Sequence, residues 1–223
     1  MTEPPLPRLH LVTDDAVLAR PSFAATAGTL LAVGGSQVAL HLRGPHTPGR
    51  PLWQAVRTLA PAAESAGGLL VVNDRVDVAL AAGVGAVQLG QRSLPTGQAR
   101  ALLGEGARIG VSTHRGAEVR RAVAEGADWL FVGTLHSTPS HPGRAGRGVG
   151  AVTDAVAHAG SRPVLGIGGV GPHDVEAIRA AGGWGVAVLG GVWHAADAVS
   201  ALRRYLAALD ATAPTRDEAR EAS

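Results

Sequence analysis

Residues 163–181, PVLGIGGVGPHDVEAIRAA, contain the unit from which the rest of the chain is built. The stretch begins with a short apolar run, passes through a glycine-rich turn and continues into a segment with helical spacing of its apolar residues. A continuous apolar run is typical of a strand buried on both faces of a parallel sheet. A helix that follows at once is the usual connection between two such strands. The stretch therefore predicts one strand–helix unit of a parallel α/β fold.

The same unit occurs eight times. The predicted strands are residues 9–13, 37–42, 69–73, 86–89, 108–112, 129–133, 163–168 and 184–189. The predicted helices are residues 23–33, 52–66, 76–82, 95–103, 116–125, 150–159, 172–181 and 195–209. Eight units in 223 residues fit either a (β/α)₈ barrel or an open doubly wound sheet. The repeat count and the lack of a Gly-x-Gly-x-x-Gly turn after the first strand favour the TIM barrel.

The composition fits a single domain and excludes several kinds of chemistry. We expect the barrel to occupy residues 1–210, and the polar, aperiodic residues 211–223 to form a flexible tail. The chain has no Cys and no Lys, which excludes disulfides, thiolate nucleophiles and lysine Schiff bases. Its pI near 10.3 reflects arginine rather than a basic patch, so we expect no nucleic-acid partner. Without a long apolar run or a signal-like start, we expect no membrane partner and a cytoplasmic location.

In a barrel of this kind the chemistry lies at the carboxyl ends of the strands. Strand 2 alternates so that Ala39, His41 and Arg43 share the inward face. We expect His41 and Arg43 to reach the mouth of the barrel. There, a buried guanidinium needs either an acidic residue or an anionic ligand.

Strands 3, 4 and 5 also end in polar side chains. Asn73 and Asp74 follow strand 3, and the amide of Gln88 interrupts the apolar run of strand 4. Ser112 and His114 stand at the end of strand 5. Asn73, Gln88 and Ser112 are candidates for substrate binding, whereas Asp74 either caps the next helix or binds a ligand.

Pairs of glycines follow strands 7 and 8, namely Gly168-Gly169 and Gly190-Gly191. Glycine lets backbone N–H groups approach an anion closely, and loops at these two positions often bind phosphate in such barrels. The other interpretation is a tight turn, which also requires glycine. We favour phosphate binding because both pairs stand at the two preferred positions.

A long loop, residues 134–148, follows strand 6 and is rich in His, Ser, Thr, Pro and Arg. Loops of this length in a compact domain are usually lids or binding loops, or else disordered. His136 and Thr138 are its first candidates for contact with a phosphorylated ligand.

Several blocks of the sequence resemble the thiamine phosphate synthase and TenI superfamily. The most specific are Asn-Asp-Arg-Val-Asp at residues 73–77 and Leu-Gly-Gln at 89–91. The others are Leu-His-Leu-Val-Thr-Asp at 9–14, His-Leu-Arg at 41–43, Gly-Val-Ser-Thr-His at 110–114, Ile-Gly-Gly-Val at 167–170 and Gly-Val-Ala-Val at 185–188. The resemblance covers residues 9–209 and implies an eight-fold barrel that acts in thiamin biosynthesis.

The synthase branch couples a pyrimidine diphosphate to a thiazole phosphate with the help of Mg²⁺, and this chain departs from its pattern. Synthases have Gln-Leu-Arg-Glu-Lys after strand 2, where this chain has His-Leu-Arg-Gly-Pro at 41–45. They have Thr-x-Thr-Lys after strand 6, where residues 138–141 read Thr-Pro-Ser-His. A metal-binding Asp that normally follows Leu-Gly-Gln is replaced by Arg92-Ser93. The resemblance then leaves Asp74 as the metal ligand of a synthase.

The TenI branch lacks the metal site and consists of thiazole tautomerases. Its catalytic His follows a Gly after strand 6, and this chain matches the pattern at Gly133 and Thr138. The imidazole, however, is His136, two residues beyond the family position. Side chains two apart on a strand face the same side, so we expect His136 to reach the same substrate atom.

We therefore expect a thiazole tautomerase, an isomerase that uses general acid–base catalysis and no cofactor. His136 would transfer the proton, and His114 and Arg43 would be the other catalytic side chains. One alternative is an Mg²⁺-dependent thiamine phosphate synthase, a transferase. A second is a non-catalytic regulatory protein that binds thiazole or thiamine phosphate. In each case the partner is a phosphorylated thiazole compound, and a homo-oligomer is possible because barrels of this superfamily often pair.

Overall fold

Eight parallel strands, each hydrogen-bonded to the next, close into a barrel in the computed structural model, which describes residues 5–138 and 146–212. The strands are β1 (Leu9–Val12), β2 (Val38–Leu42), β3 (Leu69–Asn73), β4 (Ala86–Leu89), β5 (Arg108–Thr113), β6 (Trp129–Val132), β7 (Val164–Ile167) and β8 (Gly185–Val188). β8 pairs with β1 and completes the circle. The predicted (β/α)₈ barrel is confirmed, and each predicted strand matches an observed one to within one residue at each end.

Helices cover the outside of the barrel. They are α1 (Asp15–Leu18), α2 (Phe23–Gly34), α3 (Gly49–Ala66), α4 (Val76–Ala82), α5 (Thr96–Leu103), α6 (Gly116–Ala124), α7 (Gly150–Ala159), α8 (Val175–Ala180), α9 (Gly190–Trp193) and α10 (Ala198–Asp210). The short helices α1 and α9 were not predicted, because four residues are too few for a periodic pattern. Most of the predicted tail, residues 213–223, lies outside the described residues.

Alternation along the strands separates two layers of packing. Outward side chains such as Leu40, Leu42 and Val72 are fully or almost fully buried against the helices. Inward side chains such as Trp129 and Phe131 fill the barrel itself. The interior is therefore a packed core rather than a channel, as expected for eight strands.

The barrel interior also contains a chain of hydrogen bonds between polar side chains. Nε2 of His10 lies 2.9 Å from the carbonyl oxygen of Pro7. Nδ1 of His10 lies 2.7 Å from Nε2 of His41. Nδ1 of His41 lies 3.0 Å from the side-chain amide of Asn73, the last residue of β3. Both imidazoles are completely buried, so each of their polar atoms depends on a protein partner.

Burial keeps both imidazoles neutral. It lowers the pKa of His10 well below the usual value of a histidine, and the neighbouring His41 and the charge of Arg108 lower it further. Burial also lowers the pKa of His41 to about 3, against the opposing effect of its hydrogen bond with Asn73. Neither ring therefore carries a charge near neutral pH.

A methyl group added at Gly110 tests how tightly the interior is packed. A Cβ atom there would overlap the amide oxygen of Gln88 and the indole ring of Trp129. We expect Gly110→Ala to lower the free energy of unfolding by about 1–3 kcal/mol, measured by urea denaturation. In the control Gly28→Ala, nothing lies within 4 Å of the added Cβ, and the helix α2 should gain about 0.5–1 kcal/mol. Equal stability of the two variants would contradict this packing.

The buried histidines predict a dependence of stability on pH. In the unfolded chain a histidine binds a proton below about pH 6.5, whereas His41 in the fold stays neutral down to about pH 3. The unfolded state thus binds more protons across this range, and stability falls as the pH falls. From pH 7 to pH 5 we expect a loss of about 2 kcal/mol per buried histidine. In His41→Gln, which cannot titrate, urea denaturation should show a loss smaller by about that amount. An unchanged loss would contradict the neutral state of His41.

Candidate active site

The carboxyl ends of the strands form the mouth of the barrel, where Arg43 stands just beyond β2. Oγ1 of Thr13, which follows β1, donates a 2.9 Å hydrogen bond to the carbonyl oxygen of Arg43 and accepts another of 2.9 Å from the backbone N–H of Arg43. The side chain of Arg43 is half-buried, and its guanidinium has no partner within residues 5–138 and 146–212. A partly desolvated cation without a protein acceptor is suited to an anionic ligand.

Asp74 follows β3 and points its carboxylate toward the end of β4. Its backbone has a φ of 62°, in the left-handed region that Asp and Asn tolerate better than most residues. Oδ1 accepts a 2.9 Å hydrogen bond from the backbone of Gly90 and another from the hydroxyl of Ser93. Oδ2 has no partner among the described residues. Ser93 thus holds Asp74 from the segment that follows the Leu-Gly-Gln block.

The carboxylate of Asp74 could hold an Mg²⁺ ion only if water or substrate oxygens supplied most of the other ligands. The described part of the chain contains no group of three or more His, Cys, Asp or Glu side chains that could hold a metal ion. Mg²⁺ is nevertheless commonly bound by one or two carboxylates together with substrate phosphates and water. The free Oδ2 of Asp74 meets that requirement if a diphosphate provides further oxygens.

His114 lies between the ends of β5 and β6 in a fixed orientation. Its Nδ1 donates a 2.7 Å hydrogen bond to the carbonyl oxygen of Gly133, and its backbone N–H donates to Glu118. A neutral ring in this state has a lone pair on Nε2, which has no partner among the residues described. His114 can therefore accept a proton or a hydrogen bond from a ligand.

The glycine pairs after β7 and β8 have features of both a tight turn and an anion-binding site, the two interpretations offered by the sequence. Gly168 and Gly169 have φ of 97° and 68°, and a Cβ at either would overlap the segment Thr134–Ser137. This segment runs beside them, with the N–H of His136 donating to the oxygen of Gly168 at 2.9 Å. The tight turn therefore requires glycine. The N–H groups of Gly168, Gly169, Gly190 and Gly191 nevertheless donate to no described residue and remain available to an anion.

Tyr205 of α10 connects the two glycine loops. Its hydroxyl donates a 2.8 Å hydrogen bond to the carbonyl oxygen of Val170 in the first loop. A Cβ on Gly191 in the second loop would overlap the same hydroxyl. Burial raises the pKa of Tyr205 to about 12, so the hydroxyl remains a donor. One side chain thus fixes the position of both loops.

His136 lies beside a carboxylate without forming a hydrogen bond to it. Its Nε2 is 3.1 Å from Oδ1 of Asp174 but has no hydrogen-bond partner among the described residues, while Oδ2 of Asp174 accepts the N–H of Gly171. The alternation on which the sequence prediction relied ends with β6 at Val132, four residues earlier. Thr138 is half-buried at the end of the described segment, and residues 139–145 of the predicted loop lie outside the described residues.

Two predicted ligand-binding residues lie deeper than expected. His41 is on the inward face of β2, as predicted, but it is completely buried between His10 and Asn73 and does not line the open mouth. Gln88 is also buried. Its Oε1 accepts from the indole of Trp129 at 2.8 Å.

Ser112 and Asn73 remain at the mouth with polar atoms that a ligand can use. The hydroxyl of Ser112 accepts a 3.1 Å hydrogen bond from Gln88, which leaves its own proton free to donate. Asn73 is the last residue of β3 and is 8% exposed. Together with Arg43, Asp74 and His114, these side chains form one side of the site.

Sequence reasoning missed three residues that shape the site. His10 could have been found, because it alternates with Leu9 and Leu11 on a strand and therefore faces inward. Tyr205 and Asp174 had no comparable signal, since their roles depend on contacts with loops that are distant in sequence.

Comparison with known proteins supports the synthase branch. Thiamine-phosphate synthase of Salinispora arenicola is 38% identical over 205 residues, which cover 92% of this chain and 98% of that protein. The synthase of Moorella thermoacetica is 38% identical over 186 residues, 83% of this chain and 87% of that protein. The synthase of Gloeobacter violaceus is 40% identical over 193 residues, but the chain spans only 54% of its length.

Solved structures agree in fold. Thiamine phosphate pyrophosphorylase of Pyrococcus furiosus has a TM-score of 0.78 and 26% identity, with 91% of this chain and 95% of that chain covered. A 3-hexulose-6-phosphate synthase, at a TM-score of 0.65 and 16% identity over 91% of this chain and 99% of that chain, shares the barrel alone.

None of the helices in the described residues is long and apolar enough to span a membrane.

The prediction of a thiazole tautomerase, an isomerase, is wrong by these comparisons, because the similar curated proteins are thiamine-phosphate synthases. The general-base role given to His136 depended on that activity. The tautomerase prediction rested on the loop after strand 6 and on the departures from the synthase pattern at residues 41–45, 92–93 and 138–141. The resemblance to the superfamily is confirmed. The chain belongs to the family described as thiamine monophosphate synthase, whose sequence model matches residues 9–192.

Proposed function

We propose that the chain is a thiamine-phosphate synthase, a transferase that joins a pyrimidine diphosphate to a thiazole phosphate and releases diphosphate. The observation that carries the proposal is the presence of two separate anion-binding features at one barrel mouth. One is the half-buried guanidinium of Arg43 just beyond β2, the neighbour of the strand that precedes Asp74, and the other is the set of free N–H groups after β7 and β8. Two phosphorylated substrates require two such features. The name and near-complete coverage of the Salinispora arenicola relative support the same activity.

The reaction breaks the bond between the pyrimidine methylene carbon and a diphosphate oxygen, and the thiazole nitrogen forms the new bond to that carbon. Negative charge grows on the departing diphosphate, so cations near it lower the barrier. Arg43 supplies a permanent positive charge on the pyrimidine side. The glycine loops would hold the phosphate of the thiazole through backbone N–H groups, which orients its nitrogen toward the same carbon.

Mg²⁺ would be held by Oδ2 of Asp74 with diphosphate and water oxygens, and when bound it would neutralise charge on the leaving group. The role of this chain is to hold that carboxylate in place. Gly90 and Ser93 bind Oδ1 and leave Oδ2 free, so the carboxylate does not have to reorganise when the substrate arrives.

An assay of the purified protein with both substrates tests the activity. We expect Mg²⁺-dependent formation of thiamine phosphate, followed by mass spectrometry, and no product in EDTA. Asp74→Asn should lower kcat/KM about a hundredfold, because the amide keeps the hydrogen bond with Gly90 but is a poor metal ligand. Asp77→Asn is the matched control, since its exposed carboxylate pairs with Arg75. Thiazole phosphate that stabilises the protein against unfolding without any turnover would instead indicate a binding protein.

A second variant tests whether the guanidinium of Arg43 binds the diphosphate. Arg43→Gln should raise KM for the pyrimidine diphosphate and lower kcat/KM about ten- to a hundredfold, because a charged hydrogen bond to phosphate is lost. Arg50→Gln changes an exposed guanidinium at the start of α3 and is the control. Equal kinetics of the two variants would show that Arg43 does not contact the diphosphate.

A further inference from the structure

The hydrogen-bond chain that runs from Pro7 through His10 and His41 to Asn73 has a direction. Its first member is a backbone carbonyl, which can only accept. Nε2 of His10, at 2.9 Å from this oxygen, therefore carries a proton, and the neutral ring has a lone pair on Nδ1. Nε2 of His41 lies 2.7 Å from that lone pair and must donate to it. The neutral ring of His41 then has its own lone pair on Nδ1.

The group of Asn73 that faces this lone pair must be a donor. The structure places Oδ1 there, 3.0 Å from Nδ1 of His41. The oxygen and nitrogen of a side-chain amide have nearly the same size, and a half-turn about the last torsion exchanges them. With that half-turn, the NH₂ group faces His41 and every hydrogen bond of the chain is satisfied.

The opposite direction is less favourable. Both rings would then carry their proton on Nδ1, and His41 would donate to Oδ1 of Asn73. Nε2 of His10 would present a lone pair to the carbonyl oxygen of Pro7 at 2.9 Å, in a completely buried position. Two buried acceptors that face each other form no hydrogen bond, and both are left unsatisfied. An imidazolium would also satisfy the contacts, but burial of the two rings disfavours the charge.

We propose that His10 and His41 are positioning residues that orient the amide of Asn73, so that its oxygen faces the mouth of the barrel and accepts a hydrogen bond from an N–H group of the substrate. Asn73 ends β3, is 8% exposed, and its second amide atom has no partner among the described residues. The carbonyl group of Pro7, which precedes β1, thus determines that Asn73 presents an acceptor rather than a donor at the mouth.

This polarity selects a class of substrate, and that part of the inference rests on the proposed function. An acceptor at Asn73 fits a pyrimidine that carries an exocyclic amino group. It rejects the analogue with a carbonyl oxygen at that place, because two acceptors would meet. A site built for one hydrogen-bond pattern discriminates strongly against the other, since buried polar groups are left unpaired.

The tautomers can be measured without any substrate. Long-range ¹H–¹⁵N spectra of histidine-labelled protein distinguish a ring protonated on Nε2 from one protonated on Nδ1. We expect both His10 and His41 to be protonated on Nε2 alone, without titration between pH 5 and 8. Protonation on Nδ1, or an imidazolium at His41, would overturn the proposal.

Substitutions at His10 test the effect on the substrate. His10→Phe keeps a ring but removes the groups that fix the tautomer of His41. We expect the preference for the aminopyrimidine diphosphate over its carbonyl analogue, as a ratio of kcat/KM, to fall about tenfold or more. His10→Gln can donate to Pro7 and accept from His41, so it should retain the preference. Phe131→Leu is the control, because Phe131 packs against both rings without joining the chain. A loss of preference in this control, or none in His10→Phe, would contradict the positioning role.

The two measurements separate this inference from the proposed function. A protein that makes no thiamine phosphate can still show the expected tautomers, in which case the synthase proposal alone fails. A protein that is active but has His41 protonated on Nδ1 retains the synthase proposal and overturns the orientation of Asn73. His10→Phe is compared only if its thermal unfolding remains cooperative, and the spectra of the unaltered protein decide the matter if it does not.

Discussion

Closure of eight strands places every second side chain in one buried interior, and the polar groups there must satisfy one another. His10 and His41 do so through a chain that begins at the carbonyl of Pro7, while Gln88 and Trp129 form a second pair. A buried polar group without a partner would cost about 1–3 kcal/mol. The interior therefore fixes the rotamers and protonation states of side chains that lead directly to the mouth.

Side chains at the mouth of the barrel are held by these buried groups. Asn73 and Ser112, near the ends of β3 and β5, are hydrogen-bonded to His41 and Gln88. On the other side, Tyr205 supports the loops after β7 and β8 from outside the barrel. Contacts within the protein thus position groups on both sides of the site, and such preorganisation reduces the entropy that binding costs.

Two residues that depart from the synthase pattern, His41 and Ser93, form specific hydrogen bonds in this chain. His41 stands where synthases have Gln, and it is part of the interior chain rather than of the open surface. Ser93 follows the Leu-Gly-Gln block, where a second metal-binding Asp is usual, and it donates to Asp74. Under the proposed function, Arg43 would supply more of the positive charge near the leaving diphosphate, because the chain has no lysine.

The barrel was predictable from the sequence, because apolar runs and helical periodicity are local properties that repeat eight times. It also placed Arg43, Asn73 and Asp74 at the mouth, since topology brings the carboxyl ends of parallel strands together. The burial of His41 below the mouth and the position of His136 beside Asp174 became visible in the folded barrel alone. These contacts join residues that are far apart in the chain, and no local pattern specifies which partner a polar side chain will meet.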